Sequence, residues 1–161
     1  MASADYQRIR DDLRLAYDGA ADERDRRAWW RGAGNKGLHA RVRDYSQLDL
    51  AAESFDAVYA MNCLLHVPNA DLPTVLSSIA GVLQPGGLFF LGVYGGGSKG
   101  PREGPATWDD HVPARFFSWR TDDQITQFVS ESFDIIDFHV AQADTDDRFQ
   151  SLTLQRPAGA G

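Results

Sequence analysis

At 161 residues the chain is long enough for one domain with a sizeable core, and its 43% hydrophobic and 24% charged content excludes disorder throughout. A formal charge of -7 and a pI near 4.9 argue against nucleic acid as a partner, since that affinity is mostly phosphate neutralisation by Lys and Arg. Cys63 is the only cysteine, which excludes an internal disulfide and a cysteine-based zinc site, and no apolar run is long enough to span a bilayer or resembles a leader, so a cytoplasmic protein without a membrane partner is expected.

The pattern predicts a single domain over 1–161, with an N-terminal helix in 1–30, a seam or linker at 31–37, a sheet region at 38–157 and a loose tail at 158–161. From Ser3 to about Ala28, Tyr6, Ile9, Leu13, Ala16, Tyr17 and Ala20 fall on one helical stripe, with arginines and aspartates around it. Gly32, Gly34 and Gly37 then match the spacing of a dinucleotide loop. That loop works by following a buried strand and opening a helix whose N–H groups face the ligand. Here a charged helix and two tryptophans precede the glycines and a strand-like segment follows, so the expectation is a turn or linker.

His39 to Arg43 alternates and ends at Asp44, which predicts a short strand. Phe55 to Met61 is a short apolar run with only Asp56 charged, the pattern of a parallel strand buried on both faces. Leu72, Val75, Leu76, Ile79, Val82 and Leu83 recur at helical spacing, with Asp71 as N-cap, Pro73 in the first turn and Pro85-Gly86-Gly87 as the stop. Leu88 to Tyr94 is a second strand-like run, so Ser54 to Gly97 forms a strand, helix, strand unit of a doubly wound sheet.

Gly95 to Pro113 is rich in Gly, Pro and charge and predicts a mobile surface loop. Thr121, followed by Asp122 and Asp123, is the expected N-cap of a helix burying Ile125, Phe128 and Val129 and ending near Phe133. Ile135 to Val140 and Gln150 to Leu154 alternate around an acidic turn, Asp144 to Arg148, predicting two antiparallel strands.

The segments ARVRDYSQLDL, SFDAVYAMNCLLHV, VLQPGGLFFLGVYG, RFFSWRTDDQITQFVSESFDIIDFHV and FQSLTLQRP resemble the class I S-adenosylmethionine-dependent methyltransferases of the small-molecule kind. The resemblance runs from about Lys36 to Pro157 and is most specific from Ser54 to Tyr94. It implies an α/β fold, an abbreviated Rossmann-like methyltransferase sheet corresponding to strands three to seven, with parallel strands, a C-terminal antiparallel hairpin and an N-terminal lid-like helix. The family's glycine-rich first strand and acidic-ended second strand have no counterpart in this sequence. The ligand crevice of such sheets lies where strand order reverses, beside the first and fourth strands, so half of its wall is unaccounted for.

The resemblance implies S-adenosylmethionine as cofactor and a small-molecule acceptor as partner. It carries cofactor contacts onto Asp44 and Tyr45 at the end of a strand, Asn62 after the next strand, and Tyr17 on the lid-like helix. His66, whose side chain titrates near neutral pH, could take a proton from an acceptor hydroxyl or amine, or could brace the loop before Pro68. Asp44 is as readily a polar turn residue, and Tyr17 as readily packs on its stripe. Asp109, Asp110 and His111 carry oxygen and nitrogen donors, but three adjacent residues rarely converge on one ion, so no metal is expected. Tyr94, Trp108, Phe116, Phe117 and Trp119 either line an apolar acceptor pocket or pack the core. Without its family neighbours the strand after the seam either docks on the next one or pairs with a second chain, which makes a homodimer through a sheet edge an expectation.

Three functional classes remain open at this stage: methyl transfer to a small molecule, a non-catalytic or repurposed binder on the same fold, and an internally deleted form of a longer enzyme.

Overall fold

The computed structural model describes residues 7–9, 11–13, 48, 50–97, 100–106, 113–142 and 148–159. The seam at 31–37, the strand expected at His39 to Arg43 and most of the acidic turn lie outside them. Residues 7–9 and 11–13 are helical, and Leu13 of the predicted stripe is buried.

Strand β1, Phe55–Met61, is followed by a single turn of 3-10 helix at Leu64–His66 and by helix α1, Leu72–Val82. The chain returns as β2, Leu83–Gly95, which pairs parallel to β1 with Val58 opposite Phe89 and Ala60 opposite Leu91. Strand β3, Arg102–Pro105, and strand β4, Phe116–Trp119, make a small separate antiparallel pair. Helix α2, Asp122–Ser130, leads to β5, Asp134–Gln142, and β6, Arg148–Gln155. The main sheet runs β1-β2-β6-β5, with β6 inserted antiparallel between β2 and β5. Mixed α/β architecture with a parallel pair and an antiparallel C-terminal hairpin is the fold the sequence predicts.

Apolar residues of α1 at helical spacing, Leu72, Val75, Leu76, Ile79 and Val82, are all buried, as are Ile125 and Val129 of α2. They share one core with Phe89, Leu91 and Val93 of β2 and with Leu152 and Leu154 of β6. The strand register explains this, since Phe89 lies opposite Leu154 and Leu91 opposite Leu152, on one face of the sheet. Each such side chain contributes roughly 2–3 kcal/mol by leaving water.

Several expectations are corrected. Strand β1 is not buried on both faces: Phe55, Tyr59 and Met61 are 40%, 68% and 43% exposed. Among the described residues it is an edge strand, with a ladder partner only in β2, so the alternate residues that face away from α1 meet solvent. The predicted loop from Gly95 to Pro113 contains β3, because Arg102 to Pro105 pair with Phe116 to Trp119 and the Arg102 guanidinium sits 4.4 Å from the Trp119 ring centroid.

Asp71 occupies the N-cap of α1 without a side-chain capping bond. The helix ends at Val82, before Pro85-Gly86-Gly87, which instead lie within β2 where Gly86 takes φ +78°. Helix α2 stops at Ser130, and the Ser132 and Phe133 amides close the turn on the Val129 carbonyl. Thr121 caps α2 as expected, and more completely: its hydroxyl accepts from the Gln124 amide while the Gln124 side chain accepts from the Thr121 amide.

Among the described residues no helix is long and apolar enough to cross a membrane.

Candidate functional site

In open α/β sheets ligands collect beyond the carboxyl ends of the strands, and here that edge is formed by the segments leaving β1 and β2. Asn62 leaves β1 in the left-handed region, φ +54°, while its amide still donates to the Gly92 carbonyl at 2.8 Å. Asparagine tolerates that conformation better than most residues. The turn swings the chain out of the sheet and leaves the Asn62 side chain exposed at the strand end.

Cys63 follows, half-buried, and desolvation pushes its thiol above the ordinary range, so it stands as a protonated thiol at neutral pH. Leu64 to His66 then form the 3-10 turn, closed by amide bonds of His66 to the Cys63 carbonyl at 3.1 Å and of Val67 to the Leu64 carbonyl at 3.2 Å.

His66 is 5% exposed. Its Nδ1 lies 2.7 Å from the Phe116 carbonyl oxygen, and its ring meets Phe117 edge-on at 4.7 Å. A carbonyl can only accept, so Nδ1 carries a proton. The contact ties the loop after β1 to β4, which is the bracing role open to this histidine.

A second group holds the same loop from below. Arg120, immediately after β4, is 2% exposed. Its Nε donates to Asn69 Oδ1 at 2.7 Å, Nη1 to the Leu64 carbonyl at 3.3 Å and Nη2 to the Val67 carbonyl. Burial lowers the guanidinium pKa to about 10, and the charge of Glu103 works in the opposite direction. Glu103 Oε1 accepts from the Asn69 amide at 2.6 Å and from the Ser118 hydroxyl at 2.5 Å. One cation and one carboxylate, from β4 and β3, thus fix both sides of the segment from Leu64 to Asn69.

The end of β2 is held by the neighbouring β6 strand. The Gly96 amide donates to the Arg120 carbonyl at 2.8 Å, and Gly96 takes φ +65°. The Gln150 amide nitrogen donates to the same carbonyl at 3.2 Å and to Asp122 at 2.8 Å, and Arg148 pairs with Asp122 at 2.9 Å. A side chain at Gly95 would meet Gln150 Oε1 at 2.4 Å and the Arg120 carbonyl at 2.5 Å, so this approach needs glycine.

The fold therefore brings Asn62 and His66 into one short loop and sets His66 against Phe116 and Phe117. Phe117 in turn stacks on Trp119, centroids 5.9 Å apart. Tyr94, 37% exposed, stands apart from that cluster and meets Phe149 edge-on. Tyr17, Asp44, Tyr45 and Trp108 lie outside the described residues, as do Asp109, Asp110 and His111. Among the described residues no group of three or more His, Cys, Asp or Glu could hold a metal ion.

Arg120, Glu103, Asn69 and Gln150 were not legible as site residues. Glu103 and Asn69 sit in turn-like sequence, and only the Arg at the end of an aromatic run hinted at a buried cation. As a cradle for a nucleoside cofactor, the described loop offers an exposed carboxamide and backbone polar groups, which suit a neutral base. It offers no carboxylate at the strand ends for ribose hydroxyls.

Comparison with known proteins fits this geometry. The sequence profile of the family described as methyltransferase domain matches residues 17–91. Sterol 24-C-methyltransferase of Debaryomyces hansenii is 53% identical over 51 residues, covering 32% of this chain and 12% of that protein. The Candida albicans enzyme of the same name is 51% identical over 51 residues, with the same coverage of 32% and 12%. The chain thus matches about an eighth of the length of these relatives.

Among solved structures, a Burkholderia thailandensis 1,6-didemethyltoxoflavin-N1-methyltransferase with bound S-adenosylhomocysteine superposes with TM-score 0.66 at 19% identity, over 80% of this chain and 56% of that one. An S-adenosylmethionine-dependent methyltransferase of Mesorhizobium loti gives 0.60 at 21% identity, over 78% and 73%. The [4+2]-cyclase SpnF gives 0.60 at 18% identity, over 82% and 61%.

Proposed function

We propose, from the match to the methyltransferase domain over residues 17–91 and a fold similar to that of S-adenosylmethionine-dependent methyltransferases, that the chain transfers a methyl group from S-adenosylmethionine to a small molecule. The observation that carries the reading is the parallel β1–β2 unit with its ordered exit loop from Asn62 to Asn69, lying within the most specific part of the resemblance.

When bound, the cofactor supplies an electrophilic methyl group. The chain's part is to hold, orient and dry the reactants, which is where most rate enhancement in such a transfer arises. In this reading Asn62 and the backbone of the β1 exit loop hold one side of the cofactor, with Tyr17, Asp44 and Tyr45 as its further contacts. His66, whose Nδ1 donates to the Phe116 carbonyl, serves as the base for the acceptor's proton. Trp108 and the Phe116–Phe117 pair bound the acceptor side, and the protein works in the cytoplasm.

Calorimetric titration of the whole chain with S-adenosylmethionine and S-adenosylhomocysteine tests the reading. Saturable binding of both is expected, followed by methyl transfer whose pH profile has a histidine inflection that His66→Gln removes. If His66 only braces the loop, the substitution lowers Tm and leaves the profile's shape intact.

A second reading has its own support. The sequence has no counterpart of the family's glycine-rich first strand, and the similar fold of SpnF carries a cyclase activity, so this chain also suits a repurposed or internally deleted scaffold that binds a small molecule without methyl transfer. A folded protein that takes up neither cofactor form decides for this second reading. Coding DNA around Trp30 to Lys36 that aligns with a longer relative across a clean gap identifies the deletion.

A further inference from the structure

The two edges of the main sheet differ in chemistry. The β5 edge carries Asp134 and Asp137, an exposed Asp137–His139 pair at 2.7 Å, and a register irregularity between Ile135 and Asp137. Charges and bulges of this kind blunt an edge against further pairing. The β1 edge carries one carboxylate, Asp56, and a register irregularity between Phe55 and Ala57, but from Ala57 to Met61 it has no charge, no proline and an unbroken ladder to β2.

Among the described residues β1 has a ladder partner only in β2, and the direction of its other backbone groups follows from that ladder. The Asn62 amide bonds to β2, at Gly92, and amides alternate sides along a strand. Residues 56, 58 and 60 therefore also turn their N–H and C=O toward β2, and Phe55, Ala57, Tyr59 and Met61 turn theirs outward. These same four residues are exposed.

We propose that β1 pairs antiparallel with β1 of a second copy across a two-fold axis at Val58. This register joins outward groups to outward groups along all seven residues of the strand. Phe55 lies opposite Met61 of the second copy and Ala57 opposite its Tyr59, each a hydrogen-bonded pair. Val58 lies opposite Val58 as a non-hydrogen-bonded pair on the core face, and Asp56 lies opposite Ala60.

The side chains agree with this register. Bulky Tyr59 meets small Ala57 twice, the Met61 thioether meets the Phe55 ring twice, and the strand's single carboxylate faces an alanine rather than its twin. Shifting the axis to Tyr59 sets two tyrosines face to face, and shifting it to Ala57 brings Glu53 opposite Met61. An isologous contact of this kind closes on itself and leaves the charged β5 edges outermost in a continuous eight-stranded sheet, four strands from each copy.

The arrangement also bears on the crevice. Running antiparallel, the second copy's Phe55 end lies beside Met61 and Asn62, and so supplies a wall next to the exit loop of β1. That last step rests on the methyl transfer reading; the dimer itself does not, and mass and calorimetry separate the two failures.

Light scattering across a dilution series tests the pairing. A mass twice the 17.8 kDa of the chain is expected at high concentration. Tyr59→Lys, at a position 68% exposed, halves that mass with unchanged circular dichroism. In a Cys63→Ser background, Val58→Cys cross-links on mild oxidation, since residues in such a pair stand at disulfide distance, and Ala60→Cys does not. A monomer at every concentration overturns the proposal, as does a dimer that Tyr59→Lys leaves intact or that cross-links through Ala60→Cys in preference to Val58→Cys.

Discussion

On one face of the sheet Phe89, Leu91, Val93, Leu152 and Leu154 are at most 2% exposed beneath α1 and α2; on the other, Tyr59, Phe90 and Tyr94 of the same or adjacent strands are 68%, 36% and 37% exposed. The two sets alternate residue by residue, so the difference lies in what covers each face and not in the hydrophobicity of either. A parallel strand pair is ordinarily covered on both sides. Apolar side chains on a face that the described residues leave partly open suit a contact, with more of this chain, with a ligand or with a second copy.

The sharpest way to break the contrast is to truncate one residue on each face. Leu154→Ala empties a site with no solvent access and should cost about 3 kcal/mol, whereas Phe90→Ala on the open face should cost less than about 1 kcal/mol. Urea unfolding of both variants measures this. A Phe90→Ala cost equal to that of Leu154→Ala would show that the second face is covered in solution.

The covered face also carries the polar tie to the exit loop. Arg120→Met removes the donors of the Leu64 and Val67 carbonyls and of Asn69 and strips Glu103 of its cation. The expected loss is about 2–3 kcal/mol, with partial recovery in Arg120→Lys. The wild-type sign with pH is opposite to that of a stabilising ion pair. Burial lowers the folded guanidinium's pKa to about 10, below that of the unfolded chain. The cost of burying this charge is therefore present below about pH 10 and relieved as pH rises through it, so this group alone makes stability rise with pH there.

Much of this face was legible in the sequence. The helical stripe of Leu72 to Val82, the apolar run of β2 and the alternation of β6 each carry their period openly, and each is buried as read. The open face was misread for the same reason. Phe55, Tyr59 and Met61 satisfy the pattern of a doubly buried strand, and periodicity reports what a strand could bury, not whether a cover exists. Short β3 has too few residues for any period, and it is visible only through its partner β4. The site loop was legible in position, through Asn62 and His66, but not in its supports, because Arg120 and Glu103 reach it across 56 and 34 residues of chain to Leu64 and Asn69.

A smaller effect tests how α2 is anchored over the covered face. Thr121 and Gln124 satisfy each other's amides at 3.1 and 3.0 Å. Thr121→Ala leaves one of these donors to water and should cost about 1 kcal/mol, while Thr121→Ser should cost only a few tenths. Thermal unfolding of the pair separates lost capping from lost methyl packing.

The smallest expected effect concerns Gln150, the buried polar side chain that shares the covered face of β6 with Leu152 and Leu154. Gln150 is fully buried, its amide nitrogen has two acceptors, and its Oε1 has no donor. An unpaired buried acceptor costs roughly 1–3 kcal/mol, about what the two donated bonds return. Both acceptors keep other partners when the amide is removed, since the Arg120 carbonyl still receives the Gly96 amide and Asp122 still pairs with Arg148. Gln150→Met, similar in length, should therefore shift stability by less than about 0.5 kcal/mol in either direction. A loss above about 2 kcal/mol would mean that Oε1 has a donor in solution, such as a buried water held between β6 and Gly95, and would make the covered face wetter than its apolar neighbours imply.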